Sequence, residues 1–197
     1  MSKRVIIATN NAHKVTEIRD TFAGLGWECL SLREAGIDSD PEETGETFVE
    51  NARIKARAAH ELSGCAVLAD DSGLIVDALD GAPGVYSSRY AGEDGNDAAN
   101  NALLLKNLEG VSEKDRTAHF SCVLVFIDED GTETVAEGRV DGLIGFEEQG
   151  SEGFGYDPLF LPDDFDNEKT FAELGLAEKQ KVSHRARALA SLLEQLS

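Results

Sequence analysis

The sequence predicts an α/β fold, and three observations carry that expectation. The chain opens as strand, polar loop, helix and strand. The same alternation of short apolar runs and helix-period stripes recurs further on. Finally, 41% of the 197 residues are hydrophobic, enough for a sizeable core, and no repeat, low-complexity tract or linker divides the chain.

The elements follow in order. Residues 5–8 form a short apolar run that predicts a buried strand. After a polar loop, Val15, Ile18, Phe22 and Leu25 fall on one helical face, and Gly24 and Gly26 stop that helix. Residues 27–32 predict a second strand, and 33–46 a polar, acidic loop. Thr47 followed three residues later by Glu50 has capping-box spacing, so a helix is expected over 48–62, ended by Ser63-Gly64. Residues 66–69 read as a strand running into Asp70-Asp71-Ser72-Gly73, which has the composition of a turn, with a further strand over 74–78. A long loop over 80–97 and a helix over 98–108 come next. Two long strands, 117–128 and 134–145, are joined by the turn Glu129-Asp130-Gly131. After a glycine-rich stretch at 150–157, the tail from 179 to 196 is helical, with Leu189, Leu192, Leu193 and Leu196 inward.

Charge narrows the function. Asp and Glu number 38 against 18 Lys and Arg, a net charge of -20. Such a surface repels phosphate backbones and anionic membranes, so neither nucleic acid nor a membrane is an expected partner. No stretch approaches the roughly 20 apolar residues that span a bilayer. Cys29, Cys65 and Cys122 have no metal-ligand or redox spacing and read as free thiols in a reducing compartment. With no signal peptide ahead of the first strand, a cytoplasmic location is expected.

Several runs could carry chemistry. Thr9, Asn10, Asn11, Ala12, His13 and Lys14 leave a strand end and enter a helix, whose N-terminal amides and positive dipole end suit a phosphate. The run lacks the P-loop pattern and fits an ordinary strand-to-helix turn as well. Asp70 and Asp71 are adjacent in an extended chain and point to opposite sides, so only one is expected to enter a given cleft. A carboxylate there can hold Mg²⁺ and activate water, and a carboxylate of the run Glu42-Glu43-Thr44-Gly45 could complete such a site with Asp71. A solvated acidic turn is the alternative. Lys55, one helical turn beyond Asn51, could reach phosphates or simply face solvent. In residues 153–158, two glycines allow close backbone approach, Phe154 offers a stacking surface and Asp157 an acceptor. Lys179, His184 and Arg185 gather positive charge around Ser183, a candidate helix cap, and the Arg185 fork suits a carbonyl or phosphate.

Taken together these runs resemble the inosine triphosphate pyrophosphatases, also called dITP/XTP pyrophosphatases. The resemblance rests on Thr9 to Lys14, Glu43-Thr44-Gly45 with Phe48 to Ala52 and Lys55-Ala56, and Ala69-Asp70-Asp71-Ser72-Gly73-Leu74. Gly81 to Ser87 with Arg89-Tyr90, Gly153 to Pro158, and Lys179 with Ser183-His184-Arg185 complete it. One departure is Asn11-Ala12-His13, where many members carry glycine. The resemblance implies two α/β lobes around a long, mixed, twisted sheet flanked by helices, with the active site in the cleft between them. It implies a homodimer that converts non-standard purine nucleoside triphosphates (ITP, dITP, XTP) to monophosphate and pyrophosphate with Mg²⁺. By motif position, Thr9 to Lys14 and Lys55 would bind phosphate, and Glu43 and Asp71 the metal. Asp71 would accept the proton and Ser72 contact substrate, while Phe154, Gly155, Tyr156, Asp157, Lys179, His184 and Arg185 would bind the nucleotide. A phosphatase with a covalent aspartate and a non-catalytic nucleotide sensor are the competing readings.

Overall fold

The computed structural model describes residues 3–22 and 26–197. Six strands form one sheet in the order β2-β1-β3-β4-β5-β6: β1 (Arg4–Ile7), β2 (Glu28–Ser31), β3 (Ala66–Val76), β4 (Thr117–Ile127), β5 (Glu133–Ile144) and β6 (Phe160–Pro162). β1 pairs parallel with both β2 and β3, whereas β5 and β6 are antiparallel, so the sheet is mixed. The helices are α1 (Ala12–Phe22), α2 (Phe48–Ser63), α3 (Asp97–Asn107), α4 (Phe171–Leu174), α5 (Leu176–Val182) and α6 (His184–Gln195).

The chain divides into two compact units. The first holds residues 1–71, 122–138 and 186–197, the second 72–121 and 139–185. β3, β4 and β5 each contribute residues to both.

In the first unit the pleat of β3 sorts side chains by parity. Ala66 and Leu68 join Val5, Ile7, Cys122 and Leu124 in a core covered by Val15, Ile18 and Phe22 of α1. Val67 and Ala69 join Ile6, Val125 and Ile127 in another, covered by Ala52, Ala56 and Ala59 of α2. Those three alanines recur at helical spacing and are fully buried. Short side chains at those positions leave little between the helix backbone and the residues they pack on. The start of α2 is fixed by the capping box the sequence predicts. Thr47 Oγ1 accepts from Glu50 N at 3.3 Å, and Glu50 Oε2 accepts from Thr47 N at 3.0 Å. Gly64 ends the helix at φ 62°, donating to His60 O.

In the second unit, Leu74, Leu104, Leu108, Val140 and Leu159 pack around an aromatic cluster. Phe120 lies 4.7 Å from Phe160, and Phe160 lies 5.2 Å from Phe171, centroid to centroid.

Three expectations change. The segment read as strand, acidic turn and strand is one continuous strand, β3, because Asp70 and Asp71 are buried against lysines instead of turning to solvent. The loop expected over 80–97 contains a 3₁₀ turn at Gly84–Arg89. The tail helix is two helices, with Ser183 extended between them (φ −62°, ψ 156°). Leu25 and Gly24, assigned to the first helix and its stop, lie outside the described residues.

Thr47→Ala removes half of the capping box and is expected to cost about 1 kcal/mol of stability, measured by urea denaturation. A loss within error of zero would show that packing alone sets the start of α2.

Candidate active site

In the first unit, β3 delivers its two carboxylates to opposite faces. Asp70 shares the α1 face. Lys14, on the first turn of α1, forms an ion pair with it, and Cys122 Sγ donates to Asp70 Oδ2 at 3.1 Å. Asp71 shares the α2 face, where Lys55 Nζ lies 2.9 Å from Asp71 Oδ1 and 3.1 Å from Glu43 Oε1. One ammonium thus gathers two carboxylates that are 28 residues apart in sequence.

The Glu43 loop is tied to the same helix. Gly45 N donates to Asn51 Oδ1 at 2.8 Å, and a Cβ at Gly45 would lie 2.6 Å from that oxygen, so only glycine lets the loop close. Asn51 is fully buried on α2.

Burial pushes the Asp71 carboxyl above the usual carboxylate range, against the pull of Lys55 and Lys14. Burial acts on Lys55 in the opposite sense, but Asp71, Glu43 and Asp70 together outweigh it and hold the ammonium above its ordinary value.

These residues fit a divalent metal. Asp71 Oδ2 is buried and makes no hydrogen bond among the described residues, and a second hard oxygen donor, Glu43, stands across the same lysine. Among the described residues no group of three or more His, Cys, Asp or Glu forms a metal cage. Mg²⁺ needs none, since it is commonly held by one or two carboxylates plus water and phosphate oxygens.

The first loop is less open than its sequence suggests. Asn11 Oδ1 accepts from His13 N at 2.9 Å and Lys14 N at 3.2 Å, and Thr9 Oγ1 accepts from Asn11 N at 3.2 Å. The amides expected to cradle a phosphate are capped by the loop's own side chains. Asn10 donates to Asp40, and Ala12 and His13 are exposed.

The second unit assembles the other candidates. Asp157 Oδ2 accepts from Lys179 Nζ at 2.6 Å and from Phe154 N at 3.0 Å. The Lys179 ammonium also lies 4.5 Å from the Phe154 ring centroid. The Asp157 oxygen read from the sequence as an acceptor for ligand is therefore engaged in holding its own loop. Arg185 is 1% exposed and donates through Nη2 to Ser72 Oγ at 3.1 Å. The His184 ring stacks on Phe120, 4.8 Å between centroids and 13° between planes. Burial raises the Tyr156 phenol, whose hydroxyl donates to Ser87 O at 2.8 Å. Sequence reasoning missed Phe120, Cys122 and the structural part of Asn51. Phe120 and Cys122 sit in an apolar strand and carry no local signal of a role.

The chain carries the Ham1 family pattern across residues 5–195. It belongs to the Ham1 family. Its similarity to curated members runs over whole chains. It is 50% identical to the dITP/XTP pyrophosphatase of Haemophilus influenzae, covering 100% of both, and 52% identical to that of Bacillus licheniformis, covering 96% of each. Among solved Ham1 structures, that from Staphylococcus aureus superposes with a TM-score of 0.87 at 41% identity. That from Coxiella burnetii gives 0.88 at 40% identity, and each comparison covers 98% of both chains. The mixed six-stranded sheet with flanking helices is the fold of these Ham1 proteins.

Two glycines separate backbone strain from packing in this Ham1 chain. Gly153 (φ 80°) has Asp157 Oδ2 only 2.2 Å from where a Cβ would stand, whereas Gly155 (φ 63°) has open space there. Gly155→Ala is expected to cost about 1 kcal/mol from conformation alone. Gly153→Ala is expected to cost about 2–4 kcal/mol, because it also drives Asp157 off Phe154 N and Lys179. Equal losses in urea denaturation would show that the Asp157 contacts contribute nothing.

Proposed function

We propose that this Ham1-family chain hydrolyses non-standard purine nucleoside triphosphates (dITP, ITP and XTP) to the monophosphate and pyrophosphate. The single observation that carries the reading is the gathering of Glu43 and Asp71 about Lys55 in a chain half identical to dITP/XTP pyrophosphatases along its whole length. Glu43 and Asp71 would hold Mg²⁺, which when bound supplies charge stabilisation to the phosphoryl oxygens.

The chain's own groups do the rest. Asp71, with one oxygen on Lys55 and the other unengaged, accepts the proton of the water attacking the α-phosphorus. Lys55, Lys14 and the Thr9-Asn10-Asn11-Ala12-His13 loop offset the anionic chain of phosphates in a protein of net charge -20. Because Asn11 Oδ1 caps His13 N and Lys14 N, phosphate binding there exchanges that side chain for the ligand or uses the neighbouring groups.

In the second unit Phe154 offers a face to the base, and Gly155 and Tyr156 carry the backbone past it. Asp157 and Lys179 brace that loop. Ser72 holds the Arg185 fork, beside the His184 ring. A donor such as Arg185 matches the C6 carbonyl of hypoxanthine and xanthine. Facing the amino group of adenine it would be left unpaired, at a cost of about 1–3 kcal/mol.

Among the described residues no helix is long and apolar enough to cross a membrane. We read the enzyme as a homodimer on the strength of its family resemblance, and as cytoplasmic from its three free cysteines, which suit a reducing compartment.

The decisive experiment offers ITP, dITP, XTP, GTP and ATP with Mg²⁺ and identifies both phosphate products. Monophosphate and pyrophosphate from ITP, dITP and XTP, with ATP and GTP much slower and turnover lost on chelation, are expected. Release of orthophosphate, binding without turnover, or equal rates on all five would refute the reading. Asp71→Asn is expected to lower kcat about 100-fold or more while leaving nucleotide affinity largely intact. Wild-type kcat in that variant would remove Asp71 from the chemistry.

A further inference from the structure

α3 carries polar side chains where a helix packed on a core would carry apolar ones. Asn100 and Asn101 are both 2% exposed. Asp97 and Asn101, one turn apart on one face, both reach the Gly155 peptide units. Asp97 Oδ2 accepts from Gly155 N at 2.7 Å, and Asn101 Nδ2 donates to Gly155 O at 3.1 Å. The intervening Asn100 holds a second segment by the same means, accepting from Ala91 N at 2.8 Å and donating to Ser88 O at 3.0 Å. The two segments are joined through Tyr156 Oη and Ser87 O. α3 is itself anchored by Asn96, whose side chain accepts from Ala99 N.

This clamp acts on the residue least able to hold itself. Gly155 has φ 63° and nothing within 4 Å of where a Cβ would stand, so side-chain packing does not fix its orientation. Glycine has the broadest backbone freedom of any residue. Capturing its N–H and its C=O from one rigid helix fixes both flanking peptide planes. The Phe154 ring, next in the chain, is held jointly by that constraint and by Asp157, which accepts from Phe154 N and from Lys179 Nζ.

We infer that Asp97 and Asn101 are positioning residues for base selection: α3 clamps Gly155 so that the Phe154 to Asp157 segment meets the purine in one geometry. The inference rests on the proposed nucleotide pyrophosphatase activity and on residues 154–157 lying at the base. A loop that is not held in its binding geometry must be ordered when ligand binds, and that cost appears as weaker binding. The phosphate and metal candidates Lys14, Glu43, Lys55 and Asp71 lie elsewhere in the chain, so the clamp should act on base recognition more than on the chemical step.

The test compares Asp97→Ala, Asp97→Asn and Asn101→Leu on ITP, XTP and GTP with Mg²⁺. Asp97→Asn keeps an acceptor for Gly155 N and is expected to behave as wild type. Asp97→Ala and Asn101→Leu are expected to raise KM for ITP about tenfold and to narrow the ITP-to-GTP ratio of kcat/KM. Their kcat on saturating ITP should stay within about threefold of wild type. Unchanged KM and base ratio in both variants, or a fall in kcat equal for all nucleotides, overturns the inference. Should Asn101→Leu fail to fold, the half-buried Asp97→Ala decides alone against Asp97→Asn. Inactivity of the wild-type protein on ITP would instead refute the activity itself, so the two failures are distinguishable.

Discussion

Everything in the first unit is arranged around the burial of two adjacent negative charges in one strand. A carboxylate removed from water is costly unless a partner meets it. β3 buries Asp70 and Asp71 back to back, and the pleat sends them to opposite faces. Each face therefore needs its own cation, and each receives one from the helix that covers it. Lys14 comes from α1 and Lys55 from α2. The capping box at Thr47, the Ala52, Ala56 and Ala59 stripe and the Gly45–Asn51 bond all set where Lys55 and Glu43 arrive. Packing and electrostatics are one problem here, since the helix that buries the apolar face also carries the counter-charge.

The division of the chain follows the same line. The boundary between units passes between Asp71 and Ser72, and again between Arg185 and Ala186. The carboxylates and lysines proposed for metal and phosphate all belong to the first unit. Phe154, Asp157, Lys179, His184 and Arg185 belong to the second. β3 joins Asp71 of the first unit to Ser72 of the second through one peptide bond.

Local signals were legible and long-range compensation was not. Thr47 and Glu50 announce the start of α2 because a capping box is made by neighbours in sequence, and Gly64 announces its end for the same reason. The apolar stripe of α1 and the alternation in β5 are likewise local. Asp70-Asp71-Ser72-Gly73 was misread as a turn because acidic, serine- and glycine-rich composition normally means solvent. What keeps it extended is Lys14, 56 residues away, together with Lys55, 16 residues away, and Cys122, 52 residues away. The stack of His184 on Phe120 and the hold of α3 on Gly155 are invisible for the same reason, since each joins segments more than 50 residues apart. In the first loop the residue types were legible but their use was not. Asn11 looks like a phosphate ligand and serves in the structure as a cap.

Residue type alone left open which of the two aspartates does chemistry; the family resemblance points to Asp71, and the proposal that Asp71 does it rests on charge. Asp70 has a fully buried side chain and faces both Lys14 and the Cys122 thiol. On the other face Lys55 pairs with two carboxylates, Asp71 and Glu43, and even with the more distant pull of Lys14 the three acids around these lysines leave negative charge in excess where Asp71 also has a buried oxygen without a hydrogen bond among the described residues. A buried carboxyl pushed above its usual range, beside excess negative charge, is a poor structural element and a good place for a cation or a transferable proton. Asp70 reads as the counter-ion that holds Lys14 in place, and Asp71 as the group whose charge remains to be used.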